Sequence, residues 1–195
     1  MTPGDFVPLS RTSFQPSAAV VAPRLLGHLL VRNTSDGVMV AVIVETEAYL
    51  VGDPACHGFP GETRRNRSMY GPPGHAYVYF IYGNYWCVNA VCCPKGCAEA
   101  VLIRAVEPIT GIESMRRRRP VKQEADLANG PAKLCTAMSI DRALDAAGSE
   151  PADVVVEFEE DGALVHARRL DRGRNSSGGA PIDADIDLDD VGRAE

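Results

Sequence analysis

No run of apolar residues approaches the roughly 18 needed to span a bilayer, and the N-terminus lacks a charged segment followed by an apolar one. Neither a membrane-spanning helix nor a secretory leader is expected, and a soluble, cytoplasmic protein is. Cys-x-x-Cys does not occur, and no histidine follows the cysteines at a zinc-like spacing. Cys87, Cys92, Cys93 and Cys97 do crowd into one stretch, but Cys92 and Cys93 are adjacent, so reduced thiols on strands and a turn are expected. No internal repeat is visible. At 195 residues the chain suits one domain with a real core, and two would be small.

A surplus of positive charge is also missing. The net charge is −6, which argues against a nucleic-acid partner only if the charge is evenly spread. Between Arg24 and Arg142 there are 14 Lys+Arg against 11 Asp+Glu, and outside that span 6 against 15. The acidity is therefore peripheral. Much of it lies from Asp183 to Glu195, beyond the Gly/Ser-rich run Asn175 to Gly179, and residues 175–195 read as a polar acidic tail after a domain spanning 1–174.

What is present is an aromatic centre. The stretch Tyr77 to Asn89 holds four of the six tyrosines and the only tryptophan, Trp86. Two β-rich runs flank Tyr82-Gly83-Asn84, and a Gly-Asn pair in that setting signals a hairpin turn. Tyr77, Tyr79 and Ile81 then share one strand face, and Val78, Phe80 and Tyr82 the other. A tyrosine at a hairpin tip is hard to bury, so Tyr82 is either incidentally exposed or a probe of something outside the protein. Flat rings of this kind are what unstacked bases need.

Around this centre the chain reads as a loose arm (Met1 to Gln15), then a helix from Ala18 to Leu26 with Gly27 as its cap despite Pro23. Strands from His28 to Arg32 and Val38 to Thr46 follow, joined by turn chemistry at Asn33 to Gly37. Alternation puts Glu45 and Glu47 on one face, where two carboxylates can serve acid–base chemistry or simply meet water. Residues Val51 to Gly74 read as a long surface loop, made basic by Arg64, Arg65 and Arg67. Ala100 to Val106 reads as a strand interrupted by Arg104, a charge that must find solvent, a partner or a site. Thr110 to Arg119 reads as a helix with Thr110 as N-cap and four arginines in its last turn, and Gly130-Pro131 opens another through about Met138. Val154 to Phe158 and Leu164 to Arg168 suggest a last hairpin. The expected fold is α+β, a single domain with a curved, mainly antiparallel sheet, peripheral helices and a protruding β-hairpin.

Val44-Glu45-Thr46-Glu47-Ala48-Tyr49-Leu50, His57, Thr63-Arg64-Arg65-Asn66-Arg67-Ser68-Met69, the hairpin, Val101-Leu102-Ile103-Arg104-Ala105 and Gly130-Pro131-Ala132-Lys133-Leu134-Cys135, in this order, resemble the 3-methyladenine DNA glycosylase family of the alkyladenine (methylpurine) type. The resemblance runs from about Ala18 to about Ile140. It implies an enzyme that flips a damaged purine out of double-stranded DNA and hydrolyses its glycosidic bond. By position, Glu47 matches the residue that activates the water, and Arg104 its partner. Tyr49, His57 and Tyr79 match the residues that stack and orient the flipped base, and Asn89 the one that rejects the exocyclic amine of guanine. Tyr82 matches the wedge that fills the gap in the duplex, while Arg64, Arg65, Arg67, Asn84 and Tyr85 fall where backbone contacts are expected.

No lysine matches a Schiff-base nucleophile, so the resemblance implies a monofunctional enzyme, without metal or organic cofactor and suited to act as a monomer. Two departures stand out. Asn84 replaces a larger apolar residue, and the polar segment Arg172 to Glu195 stands where the family has an apolar, aromatic strand. Two other readings compete: a damage sensor that binds without cutting, and a metalloprotein built on Cys87, Cys92, Cys93 and Cys97.

Overall fold

Runs of valine, isoleucine and alternating apolar residues build six strands among the described residues, as β-branched side chains favour the pleated surface. The structure, a computed structural model, describes residues 8–145 and, for the backbone, residues 154–157. The strands are β1 (Leu29–Thr34), β2 (Gly37–Tyr49), β3 (Ala76–Ile81), β4 (Tyr85–Cys92), β5 (Glu99–Thr110) and β6 (Val154–Glu157). They form one sheet in the order β3-β4-β5-β2-β1-β6, and every neighbouring pair is antiparallel. Three helices of seven residues each, α1 (Ala18–Arg24), α2 (Ile112–Arg118) and α3 (Pro131–Ala137), are too short to hold alone and depend on packing. The expected α+β class with a curved antiparallel sheet is thus what the chain adopts. No helix among the described residues is long and apolar enough to cross a membrane.

Strand parity divides the interior into two clusters. Val78 of β3, Val88 and Cys92 of β4, and Val101 and Ile103 of β5 pack with Leu25, Leu134 and Met138 in the main core. Their neighbours Tyr77, Tyr79, Cys87, Val91, Ala100 and Leu102 join a smaller cluster with Cys56 and Met69. Because Cys87 and Cys92 thereby go to different clusters, the four cysteines of the stretch do not converge. All six cysteines are free thiols.

Several local expectations are corrected. The arm before Gln15 is not loose throughout: Arg11–Phe14 form a 3-10 turn that buries Phe14 in the main core. The loop from Val51 to Gly74 is not purely superficial, since Cys56, Asn66 and Met69 are buried and Arg67–Tyr70 form a 3-10 turn. Thr110 does not cap α2. It ends β5 opposite Val40, and Gly111 caps the helix instead at φ 73, without a side-chain bond. The last turn of α2 holds three arginines, with Arg119 beyond it as C-cap. The hairpin turn centres on Tyr82 (φ 53) and Gly83 (φ 77) rather than on Gly83-Asn84, and Asn84 N–H closes it by donating to Ile81 O at 3.4 Å. β6 supplies the first arm of the last expected hairpin. The second arm, Leu164 to Arg168, and the tail lie outside the described residues.

Gly111 is the tightest junction of strand and helix. A Cβ there would stand 2.6 Å from Met39 Cγ and 3.0 Å from Met39 Cα and Val38 O, in a left-handed backbone that side chains resist. Gly111→Ala is expected to destabilise the fold by about 1–3 kcal/mol. Urea unfolding measures this, and an unchanged midpoint would remove the junction from the list of constraints.

Candidate active site

β2 and β5 pair from Val40 opposite Thr110 to Tyr49 opposite Ala100, and the register slips on either side of Glu45. From the pair Ile43 and Val106 to the pair Glu45 and Ala105, the extra residue is Val44 on β2. From there to the pair Thr46 and Ile103, the extra residue is Arg104 on β5. A bulged residue leaves the ladder and its side chain is re-aimed. Arg104 Nε donates to Glu45 Oε1 at 2.8 Å, while Nη1 donates to Glu47 Oε2. Glu45 and Glu47 therefore do share a face, and one guanidinium holds both. These side chains are 36% (Arg104), 39% (Glu47) and 55% (Glu45) exposed, so each pair contributes at most about 1 kcal/mol and its weight lies in orientation.

Tyr49, two residues after Glu47, lies on the same face. Burial, and then a hydrogen bond to Glu47, push its hydroxyl pKa up to about 12, so it stays protonated. Tyr49 is also one wall of a cleft of about 240 Å³, open mouth included, whose other walls are His57, Tyr77, Tyr79, Asn89 and Met69, with Ala55. The His57 and Tyr79 rings touch in a T-shaped contact with centroids 4.4 Å apart, and Tyr77 lies 5.4 Å from Tyr79. His57 Nδ1 and the Tyr77 hydroxyl hydrogen-bond at 2.8 Å. Burial pushes both the Tyr77 and Tyr79 hydroxyls well above the ordinary tyrosine range. Asn89, 2% exposed, faces Tyr77 across the ladder and donates its Nδ2 to Tyr77 O at 3.1 Å.

The loop that delivers His57 is fixed from within. Asn66 Nδ2 donates to His57 O at 2.7 Å and to Gly61 O at 3.0 Å, while its Oδ1 accepts from Thr63 N–H at 2.6 Å. Asp145 joins three segments: its Oδ1 accepts from Val78 N–H at 2.9 Å, and its Oδ2 from Ser68 Oγ at 2.7 Å.

The hairpin tip carries Tyr82 at 85% exposure, with Phe80 and Tyr85 also exposed. Phe80 packs against Trp86 at a tilt of 49° with centroids 4.7 Å apart, an aromatic pair within the hairpin that carries Tyr82. Asn84 is exposed beside Tyr82. Of the loop arginines, Arg65 donates to Phe80 O at 2.9 Å and Arg67 pairs with Glu62 at 3.6 Å, whereas Arg64 is exposed without such a partner among the described residues. The four arginines around the end of α2 are engaged internally: Arg116 with Glu124, Arg117 and Arg118 with Asp36, and Arg119 with the carbonyls of Asp126 and Leu127.

The structure thus gathers Glu47, Arg104, Tyr49, His57, Tyr79 and Asn89 around one cleft and its rim. It adds Tyr77 and Met69, which sequence reasoning did not assign to the site. Tyr77 was within reach, since it shares a strand face with Tyr79. Asn66 and Asp145 had no such signal.

A family model described as Methylpurine-DNA glycosylase matches residues 12–172. A relative from Streptomyces avermitilis is 50% identical over 143 residues, which is 72% of this chain and 67% of the relative. One from Carboxydothermus hydrogenoformans is 48% identical over 137 residues, 70% of this chain and 72% of the relative. One from Chlorobium phaeobacteroides is 48% identical over 157 residues, 80% of this chain and 79% of the relative. All three are provisionally named 3-methyladenine DNA glycosylases.

His57 tests the electrostatics of the cleft. Burial first, and then the Arg65 charge, lower its pKa below 6.5. The unfolded chain then binds more protons than the fold in the interval just below pH 6.5, so this residue's contribution to stability is present above 6.5 and is lost as pH falls. NMR titration is expected to find His57 below 6.5 and to find it raised in Arg65→Gln. A value insensitive to that substitution would separate Arg65 from the cleft.

Proposed function

The chain belongs to the methylpurine-DNA glycosylase family, and on that footing we propose that it is a monofunctional DNA-3-methyladenine glycosylase. It flips alkylated or deaminated purines out of duplex DNA and hydrolyses the N-glycosidic bond. The observation that carries this reading is the junction of two devices on β2: Glu47, held by Arg104, lies against Tyr49, and Tyr49 walls the aromatic cleft. Three tyrosines and His57 wall the cleft, and such flat faces suit one planar base.

The base enters between Tyr49 and the touching pair His57 and Tyr79. An alkylated purine is electron-poor and carries positive charge, so aromatic faces attract it. His57, held neutral by its burial, adds no opposing charge. The Asn89 amide, fixed by Tyr77 O, crowds the amine that a normal guanine would bring. Glu47 accepts a proton from water as the water oxygen bonds to the anomeric carbon. The C–N electrons leave with the base, and the carboxylate also steadies the oxocarbenium-like state. Tyr82 fills the vacated stack, and Arg64, Arg65 and Arg67 approach the phosphates. The enzyme acts as a monomer in the cytoplasm, where bacterial DNA lies.

Glu47→Gln keeps the shape and removes the charge. Release of an alkylated adenine from a duplex is expected to fall by at least ~10²–10⁴-fold, while binding to the damaged duplex survives. Full-speed cleavage by this variant would move the general base elsewhere, with Glu45 the next to test. Tyr82→Ala is expected to weaken flipping and binding while leaving the Glu47 and Arg104 pair intact.

Affinity for duplex should fall by orders of magnitude between low and physiological salt despite the acidic total, because neutralised phosphates release counterions. A flat salt profile counts against the duplex as partner.

A further inference from the structure

The connection from β4 to β5 closes a second constellation. Cys93-Pro94-Lys95-Gly96-Cys97 folds back on itself, with Cys97 N–H donating to Pro94 O at 3.0 Å and with Cys93 (φ 68) and Gly96 (φ 93) in the left-handed region. Both ends are tied down: Cys93 N–H donates to Phe14 O at 3.0 Å, and Gly96 N–H to Tyr70 O at 3.0 Å. The two sulfurs and a carboxylate oxygen of Glu99 lie within 4.8 Å of one another. Glu99 is buried, and its Oε2 accepts from Ser17 Oγ at 2.7 Å and from Ala18 N–H at 2.8 Å, leaving its other oxygen for a further partner. Both thiols are only half-buried and can be reached from solvent.

We propose that Cys93, Cys97 and Glu99 form a binding site for a divalent cation of the zinc class, which ties the turn between β4 and β5 to β5 and to the start of α1. Thiolate donors select such a cation over magnesium or calcium, which prefer all-oxygen sites. Donor atoms around a tetrahedral zinc stand roughly 3.5–3.8 Å apart, so the trio, all within 4.8 Å, need contract by no more than about 1 Å. Each thiol releases its proton to solvent as its bond to the metal forms, and water takes the fourth position. Ser17 and Ala18 act as the outer partners that orient the carboxylate. The site shares no residue with the cleft, so it stands or falls apart from the glycosylase reading.

The test uses the reduced, chelator-stripped full chain with Co²⁺ and Zn²⁺ as probes. One equivalent of Co²⁺ is expected to give a thiolate-to-metal charge-transfer band that Zn²⁺ bleaches, and Zn²⁺ is expected to raise the melting temperature. Cys93→Ser and Cys97→Ser are expected to lose the band. Ser17→Ala is expected to keep it with zinc affinity lowered ~10–100-fold, as for an outer-shell partner. Should the cysteine variants fail to fold, the parent chain still decides: Zn²⁺ must slow alkylation of Cys93 and Cys97, read by peptide mass. Absence of the band in the parent, its survival in either folded cysteine variant, or thiols equally reactive with and without Zn²⁺ overturns the site.

Discussion

The antiparallel pairing of β2 with β5, and the double slip around Glu45, is the constraint on which the site depends. A straight ladder would keep Arg104 in strict alternation with its neighbours. The two bulges compensate: the register lost at Val44 is regained at Arg104, so the strands stay paired on both sides while a short segment is re-aimed. Within that segment one guanidinium spans two carboxylates. The main core registers the shift too, passing from Val101 and Ile103 to Val106 rather than to Ala105. Position here is set by packing, because half-exposed ion pairs are too weak to impose it.

Charge in this protein is mostly spent locally. The arginines at the end of α2 look like a phosphate-binding cluster, yet each reaches a carboxylate or carbonyl close by, and they tie α2 to the turn after β1 and to the segment 124–127. Arg64 is exposed and Arg67 weakly paired, in the loop whose Arg65 reaches the hairpin at Phe80 O. A cationic surface for a polyanion therefore rests on few groups among the described residues.

How far the sequence carried can be seen residue by residue. The hairpin was legible because glycine and alternating aromatics leave little choice of turn or face, and the shared face of Glu45 and Glu47 follows from period 2. Thr110 was misread because Thr-x-x-Glu also makes a capping box, and only the pairing with Val40 shows that the strand still holds it. The anchors Asn66 and Met69 were invisible because a loop has no period to betray which residue is buried. Bulges hide for a related reason: a slip of one residue leaves composition unchanged. The turn of Cys93 and Cys97 was discounted on spacing alone, since Glu99 is a donor that no cysteine pattern announces.

One further consequence concerns the rim of the sheet. β3 has β4 on one side and no strand on the other among the described residues, so alternate backbone groups along it point away from the ladder, a ready template for a further strand. Val78 N–H and Phe80 O are two such groups, and the carboxylate of Asp145 and the guanidinium of Arg65 occupy them. Side chains from distant parts of the sequence thereby blunt an edge that would otherwise invite self-association. Arg65 thus covers part of that edge as well as neighbouring the cleft.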